Sequence, residues 1–283
     1  MIINGKLLAE EVLFEVKINI EKLISELNKV PTLCIISVGN DDASEVYIRN
    51  KVAACEKVGI KIRTCKLPQF SNDEEIISLI ESLNEEENIT AILVQLPLPA
   101  HIDKSGVIDK IIPSKDVDAI TSSNCGKILC RNYKILPCTA AGIIYILQKN
   151  HIDIAGKECV VVGRSEIVGK PTALALLNLN ATVTICHSKT QNLKEICLRS
   201  DILVSAVGKA AIITRDMVKP GSVVIDVGIN RKDGKLCGDV DFEEVKNIAS
   251  IITPVPGGVG PMTVAFLIKN IFSLFQEQTN PNR

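Results

Sequence analysis

The chain has 283 residues, 46% of them apolar, with 32 basic and 33 acidic side chains and a formal charge of −1. That length holds two domains of ordinary size, and the charge balance excludes an electrostatic footprint for nucleic acid or an anionic membrane, so the expected partners are small molecules. Charges among the first eleven residues do not suit a signal peptide, no apolar run is read as membrane-spanning, and only residues 279–283 look disordered. Ten scattered cysteines without a C-x-x-C pair and three separated histidines (His101, His151, His187) argue against any metal cluster. The cysteines read as reduced, mostly buried residues of a cytoplasmic protein.

In chain order, Leu7, Leu8, Val12, Val16, Leu23, Ile24 and Leu27 recur at helical spacing over residues 6–27. A strand is expected over 33–38, ending at Gly39, then a helix over 42–58 stopped at Gly59. Residues 61–66 repeat the pattern as a strand, 73–83 as a helix and 91–96 as the next strand. Strands alternating with helices imply a parallel α/β sheet, which binds ligands at the carboxyl ends of its strands.

Tyr47 and Lys51 lie four apart and so share one face of the 42–58 helix. An amine beside a phenol can handle protons where burial favours its neutral form; the plainer reading is a solvated helix lysine like Lys57. Gln95 is polar at the end of an apolar strand, so its amide is either satisfied by neighbouring backbone or turned to a ligand. Downstream, Pro113-Ser-Lys-Asp-Val-Asp-Ala119 offers Asp116 or Asp118 to a polar heterocycle, while Glu85-Glu-Glu87 reads as a solvated helix end. Thr139 is a possible cap for a helix entered at Pro137.

The second half is organised around Cys159-Val-Val-Val-Gly163-Arg-Ser165-Glu-Ile-Val-Gly169-Lys-Pro171, a β-branched strand breaking into a glycine turn and a helix start. The dinucleotide fingerprint is G-x-G-x-x-G, whereas this turn is one residue longer and has serine for the second glycine. A P-loop would need four residues between its glycines and a hydroxyl after the lysine, and a nucleophile elbow would need glycine at Ile167. A variant dinucleotide turn and an ordinary strand–turn–helix both remain open on the loop alone.

Further strands are expected over 182–186, 202–207 and 223–227, which with 160–162 make a doubly wound sheet. The strand ending at His187-Ser188-Lys189 lacks the carboxylate that usually holds the ribose hydroxyls of NAD. Ser188, Lys189 and Arg164 suit an added 2′-phosphate instead, which favours NADP. The segment Thr253-Pro-Val-Pro-Gly-Gly-Val-Gly-Pro-Met-Thr263 can bring backbone close to a flat ligand, and 264–275 closes the chain as a helix.

Taken together, Tyr47-Ile-Arg-Asn-Lys51, Val94-Gln-Leu-Pro-Leu-Pro99, Lys115-Asp-Val-Asp118, Pro137-Cys-Thr139, Gly163-Arg-Ser-Glu-Ile-Val-Gly169, His187-Ser-Lys-Thr190, Asp226-Val-Gly-Ile-Asn230 and Pro254 to Thr263 resemble, in that order, the bifunctional methylenetetrahydrofolate dehydrogenase/methenyltetrahydrofolate cyclohydrolase family. Two positions depart from it: Ala119 stands where the family usually has glycine, and Ala140 where proline is common. The resemblance implies an α/β fold of two domains, a catalytic folate-binding domain (1–138 plus 262–283) and a Rossmann-like NADP domain (139–261), with the cleft between them.

It implies NADP-dependent oxidation of 5,10-methylenetetrahydrofolate to the 5,10-methenyl cation and hydrolysis of the cation to 10-formyltetrahydrofolate, within the one-carbon metabolism that feeds purine biosynthesis, by a homodimer. Lys51 would carry the hydrolysis, assisted by Gln95; Tyr47 would stack on or position the folate and Asp118 would hold the pterin edge. Val94, Leu96, Pro256, Gly257, Gly258, Val259 and Gly260 would line the folate site. Gly163, Arg164 and Ser165 would take the cofactor phosphates, with Arg164 and Ser188 around the 2′-phosphate and Ile229 near the far end of the dinucleotide. The competing readings are another two-domain NADP dehydrogenase resembling shikimate dehydrogenase, and a folate- or nucleotide-binding protein without turnover.

Overall fold

A computed structural model describes residues 1–39 and 42–279, with the side chains of all of these except 42–44. It divides into two compact units: Glu11–Ile135 with the chain from Val264 onward, and Met1–Glu10 with Leu136–Thr263. The expected irregular end, 279–283, lies outside the described residues except for Thr279, which ends the last helix.

In the first unit, β1 (Thr32–Val38) is central between β2 (Lys61–Leu67) and β3 (Ala91–Val94), all parallel. The long helix α1 (Gly5–Leu27) buries Val12, Val16, Ile20 and Leu23, a stripe of i, i+4 and i+3 steps. Leu7, which the sequence reading placed on the apolar face, is instead exposed. Helix α2 (Asp42–Lys57) connects β1 to β2, and Gly59, at φ +83°, turns the chain after it.

Helix α3 (Asp73–Glu85) opens with a capping box, in which Asn72 Oδ1 accepts from the Glu75 amide and the Glu75 carboxylate accepts from the Asn72 amide. Its buried residues Ile76, Ile80 and Leu83 pack against Cys34, Ile36, Ile92 and Val94 of the sheet. The far end is closed by a side chain from another segment: buried Lys115 donates to the carbonyls of Leu83, Asn84 and Glu86 at 3.0, 2.6 and 2.8 Å. An ammonium there satisfies carbonyls that have no partner within the helix. Glu86, read from sequence as merely solvated, takes both of its carboxylate oxygens to Arg63 at 2.8 Å. Two short helices follow, α4 (Lys104–Ile108) and α5 (Ser122–Leu129).

The second unit begins with α6 (Cys138–Lys149). Thr139 does not cap it: the cap position is Pro137, and the Thr139 hydroxyl lies 3.1 Å from that of Thr263. Ala140 is the third residue of this helix, in the turn where proline is tolerated because no amide partner is required. A five-stranded parallel sheet then forms from β4 (Glu158–Val162), β5 (Thr182–Cys186), β6 (Ile202–Ser205), β7 (Val223–Asp226) and β10 (Ile251–Ile252). Helices α7 (Gly169–Asn178), α8 (Leu193–Arg199) and α9 (Phe242–Val245) lie between them in the chain.

In order of appearance the strands lie 2-1-3-4-5, so the order reverses beside β4, and β4 and β6 flank the switch point where such sheets open a ligand crevice. The third, sixth and seventh expected strands of the chain end earlier than the sequence reading placed them, at Val94, Ser205 and Asp226; Gln95, Ala206 and Val227 each still donate one amide to the neighbouring strand, at 2.8 Å. The sequence reading did not anticipate helices α4, α5, α8 and α9, the two-residue strand β10, or a hairpin of β8 (Asn230–Lys232) and β9 (Lys235–Cys237).

The compact units set the first ten residues differently from the sequence reading, because Ile2 bridges Ile252 in parallel and the Ile3 amide donates to the Ile252 carbonyl. The last helix, α10 (Val259–Thr279), begins inside the glycine–proline segment rather than after it. By length and composition it could cross a membrane, contrary to the sequence reading, but 56% of its apolar window is buried within the protein. Met262, Ala265, Leu267, Ile268 and Ile271 are among its buried side chains.

Candidate active site

The carboxyl ends of β1 and β3 hold the strongest cluster of predicted residues. Tyr47 and Lys51 follow each other by one turn on α2, and the Lys51 amine donates to Gln95 Oε1 at 3.0 Å. Gln95 Nε2 donates in turn to the Leu96 carbonyl at 2.6 Å, which fixes which end of the amide meets the lysine. Of the two readings of Gln95, the structure shows backbone satisfaction through Leu96, together with an acceptor role toward Lys51. Tyr47 is 42% exposed, with its ring available to a flat partner. The Leu96–Pro97 bond is cis, and a cavity of about 220 Å³ beside the pair is lined by Ser37, Gly39, Arg49, Lys66, Gln95 and Pro97. Val94 is 3% exposed and packs in the core, so its side chain offers no surface to a ligand, whereas Leu96 is half-buried.

The Lys115-Asp-Val-Asp118 loop is tied on every side. Lys115 caps α3; the Ile92 amide donates to the Lys115 carbonyl at 2.8 Å; Asn270 donates to the Val117 carbonyl at 3.0 Å. Asp116, 1% exposed, accepts from the Thr121 amide and from Asn124 Nδ2, each at 2.9 Å, and burial pushes its carboxyl up from the usual range. Asp116 is thereby committed to the loop, and of the two carboxylates only Asp118 is partly exposed. Ala119 holds φ +53°, the left-handed conformation that explains the family's glycine there.

In the second unit, Gly163 and Gly169 pack backbone on backbone. A Cβ on Gly163 would stand 2.3 Å from the Ala206 carbonyl oxygen, and one on Gly169 would stand 2.3 Å from the Gly163 carbonyl oxygen. The turn therefore sits at the β4–β6 switch point, closer than any side chain would permit. Ser165 Oγ accepts from the Gly169 amide at 3.2 Å, so the hydroxyl closes the turn and keeps its own proton to donate outward. Arg164 is exposed and has no ion-pair partner among the described residues. Val162 pairs with Cys186, so Arg164 and Ser188 each stand two residues past paired strand ends. His187 donates its amide to the Thr190 hydroxyl and accepts from the Lys189 amide on Nδ1, a turn that leaves Ser188 exposed. This cradle, an outward hydroxyl and an unpaired guanidinium fit a phosphorylated dinucleotide.

Ile229 is exposed beyond β7. The Pro256–Gly260 positions start with a cis Val255–Pro256 bond, continue through Gly257 at φ +100°, and enter α10 at Val259. Gly258 is packed so closely that a Cβ would lie 2.5 Å from the Pro254 carbonyl oxygen.

Sequence reasoning missed a pair of buried carboxylates in this unit. Asp226, ending β7, accepts from the amides of Gly228, Asp239 and Val240 at 3.0, 2.9 and 3.0 Å. Burial outweighs those bonds, and with nearby Asp239 it pushes the Asp226 carboxyl up to about 6 from 3.8. The group holds its proton more readily folded than unfolded, so folding takes up a proton between about pH 4 and 6. Its contribution to stability is thus full below that window and falls as pH rises through it, by roughly 3 kcal/mol in all. Urea midpoints measured at pH 4.5 and 7.5 should show this slope in the wild type and lose it in Asp226→Asn.

Two family models match the chain: "Tetrahydrofolate dehydrogenase/cyclohydrolase, catalytic domain" over residues 3–118, and "Tetrahydrofolate dehydrogenase/cyclohydrolase, NAD(P)-binding domain" over 137–279. The chain belongs to the tetrahydrofolate dehydrogenase/cyclohydrolase family. Within that family, it is 53% identical over 270 residues to the bifunctional protein FolD of Acetivibrio thermocellus, covering 95% of this chain and 94% of the relative. The fold matches the solved FolD methylenetetrahydrofolate dehydrogenase/cyclohydrolase of Campylobacter jejuni with a TM-score of 0.96 at 42% identity, over 98% and 99% of the two chains. It matches the Trypanosoma brucei enzyme, solved with NADP and an inhibitor, with a TM-score of 0.94 at 37% identity, over 99% and 98%. Shikimate 5-dehydrogenase of Thermus thermophilus shares only the fold, at 13% identity and a TM-score of 0.52 over 88% and 94% of the two chains.

Proposed function

We propose that this tetrahydrofolate dehydrogenase/cyclohydrolase uses Lys51 for its hydrolytic step and the Gly163–Ser165 turn with Arg164 and Ser188 for NADP. The chain oxidises 5,10-methylenetetrahydrofolate with NADP to the methenyl cation and hydrolyses the cation to 10-formyltetrahydrofolate. The observation that carries the site assignment is the 3.0 Å bond from Lys51 to an amide whose orientation is itself fixed.

NADP, when bound, accepts the hydride from the methylene carbon. The chain's own task in that step is to orient two rings rather than to move a proton. In hydrolysis, water adds to the methenyl carbon, the bond from that carbon to N5 breaks, N5 gains a proton and one proton is released. Lys51 relays these protons, Gln95 holds its amine without adding charge, Tyr47 gives the folate a stacking face and Asp118 accepts from the pterin edge. Leu96 adds an apolar contact to the folate, and Ile229 meets the far end of the dinucleotide. The scattered cysteines, six of the ten buried, support a reducing, cytoplasmic location. The unpaired β5 edge, with Ile185 exposed, supports a homodimer that light scattering would detect.

An assay with methylenetetrahydrofolate and each cofactor, following NAD(P)H and methenyl absorbance together, tests the whole reading; no turnover in it removes the reading. Arg164→Ala is expected to raise KM for NADP by about 10- to 100-fold, the loss of one charge-assisted contact of about 1.5–3 kcal/mol, and to leave NAD kinetics unchanged. An unchanged ratio of kcat/KM between the cofactors would remove the 2′-phosphate role.

A further inference from the structure

At the carboxyl ends of β6 and β7, five donors converge on one fully buried carboxylate. Asp239 accepts from the amides of Val207, Gly208 and Lys209 at 2.6, 3.2 and 2.9 Å, from Ser205 Oγ at 3.2 Å and from Asn230 Nδ2 at 3.0 Å. It is interlocked with Asp226. A Cβ on Gly228 would stand 2.1 Å from Asp239 Oδ1, and one on Gly238 would stand 1.8 Å from Asp226 Oδ2, so each carboxylate nests against a glycine next to the other aspartate. Glycine is required at both places by space rather than by turn geometry.

A buried charge without a cation is a poor device for stability alone, since apolar packing would hold two loops at lower cost. What it does uniquely is turn a run of consecutive amides inward. Amides 207–209 are then spent on Asp239 and cannot cradle phosphate, and the side chains left facing outward at these strand ends include apolar Val207 and Ile229, both exposed. The two lie beyond paired residues, Ser205 and Asp226, of adjacent parallel strands. Phosphate chemistry is available one strand over, at Gly163–Ser165.

Resting on the NADP reading above, we propose that Asp239 is a positioning residue that shapes an apolar shelf, carrying Val207 and Ile229, for the flat, phosphate-free nicotinamide ring of the cofactor. Asp239 touches no cofactor atom; it acts through the backbone of 207–209 and through Asn230. Asp239→Asn replaces one acceptor oxygen with an amide that opposes the converging N–H groups. Asn230→Ala removes a single donor and leaves the carboxylate in place.

The test measures two ligands and two activities. Asp239→Asn is expected to weaken NADP binding about tenfold or more and to lower dehydrogenase kcat through ring misplacement. Asn230→Ala should do the same about threefold. Affinity for adenosine 2′,5′-bisphosphate, which reaches only the Arg164–Ser188 end, stays within about twofold in both, as does methenyl hydrolysis, which uses no cofactor. Equal loss of the whole cofactor and the fragment, or parallel loss of both activities, would show that Asp239 merely supports the fold and overturn the proposal, as would unchanged NADP affinity. If Asp239→Asn does not fold, the same readouts on Asn230→Ala decide. A wild-type protein that fails to turn over methylenetetrahydrofolate with NADP marks a failure of the functional reading instead.

Discussion

Lys51→Met should lower methenyltetrahydrofolate hydrolysis by about 10²-fold or more, the scale of a lost general acid–base group, while NADP binding persists. Methionine keeps the unbranched apolar stem and removes only the amine that donates to Gln95. Hydride departure leaves a developing cation on the methylene carbon, so a nearby ammonium gives that step no help. Attack of water on the finished cation, by contrast, needs a proton acceptor and then a donor in sequence. The two activities should therefore separate in this variant: oxidation continues in part, with the folate still stacked on Tyr47, and the methenyl intermediate accumulates. Methenyl absorbance during turnover is the decisive trace. Hydrolysis at the wild-type rate would make Lys51 a solvated helix lysine and end its assignment.

Gly163→Ala should give the opposite separation. The added Cβ would meet the Ala206 carbonyl oxygen at 2.3 Å and its carbon at 2.9 Å, backbone atoms held in β6's continuation by the Ala206 amide's bond to Val162. The residue also sits at φ +129°, where an L side chain is strained whatever the space. Clash and strain together amount to about 3 kcal/mol or more of misfit at the cofactor turn, equivalent to about 10²-fold. NADP-dependent oxidation falls by that factor, and hydrolysis of supplied methenyltetrahydrofolate stays near wild type. Oxidation at the wild-type rate with NADP would remove this turn from the cofactor site.

The sheets and helices were readable because apolar periodicity and turn residues agree along most of the chain. The strand ends were less so: nothing in Gln95, Ala206 or Val227 announces that each is the last to donate an amide to the ladder, since that depends on where the neighbouring strand runs. The hairpin did leave a signal, Asp233-Gly234, both at positive φ, which is the dipeptide of a two-residue β-turn. Strand β10 left none, being two residues long. Within the site, Lys51 with Gln95 and Gly163 with Gly169 were visible as motifs, whereas Asp116 was read as an alternative to Asp118 for a ligand and Asp239 was not singled out. Their roles arise from donors that only the tertiary fold gathers, in Asp239's case Ser205, Val207, Gly208, Lys209 and Asn230.

Ala119 shows how firmly the Lys115–Asp118 loop is held. An alanine at φ +53° carries a penalty of about 1–2 kcal/mol that glycine would avoid. It adopts that angle nonetheless, because Lys115, Asp116 and Val117 are each anchored to a different neighbour. The loop's shape is over-determined by its surroundings, so it does not rely on the residue that its relatives use to make the bend. Mutational drift at position 119 is thereby uncoupled from the placement of Asp118. Ala119→Gly should therefore leave the placement of Asp118 unchanged.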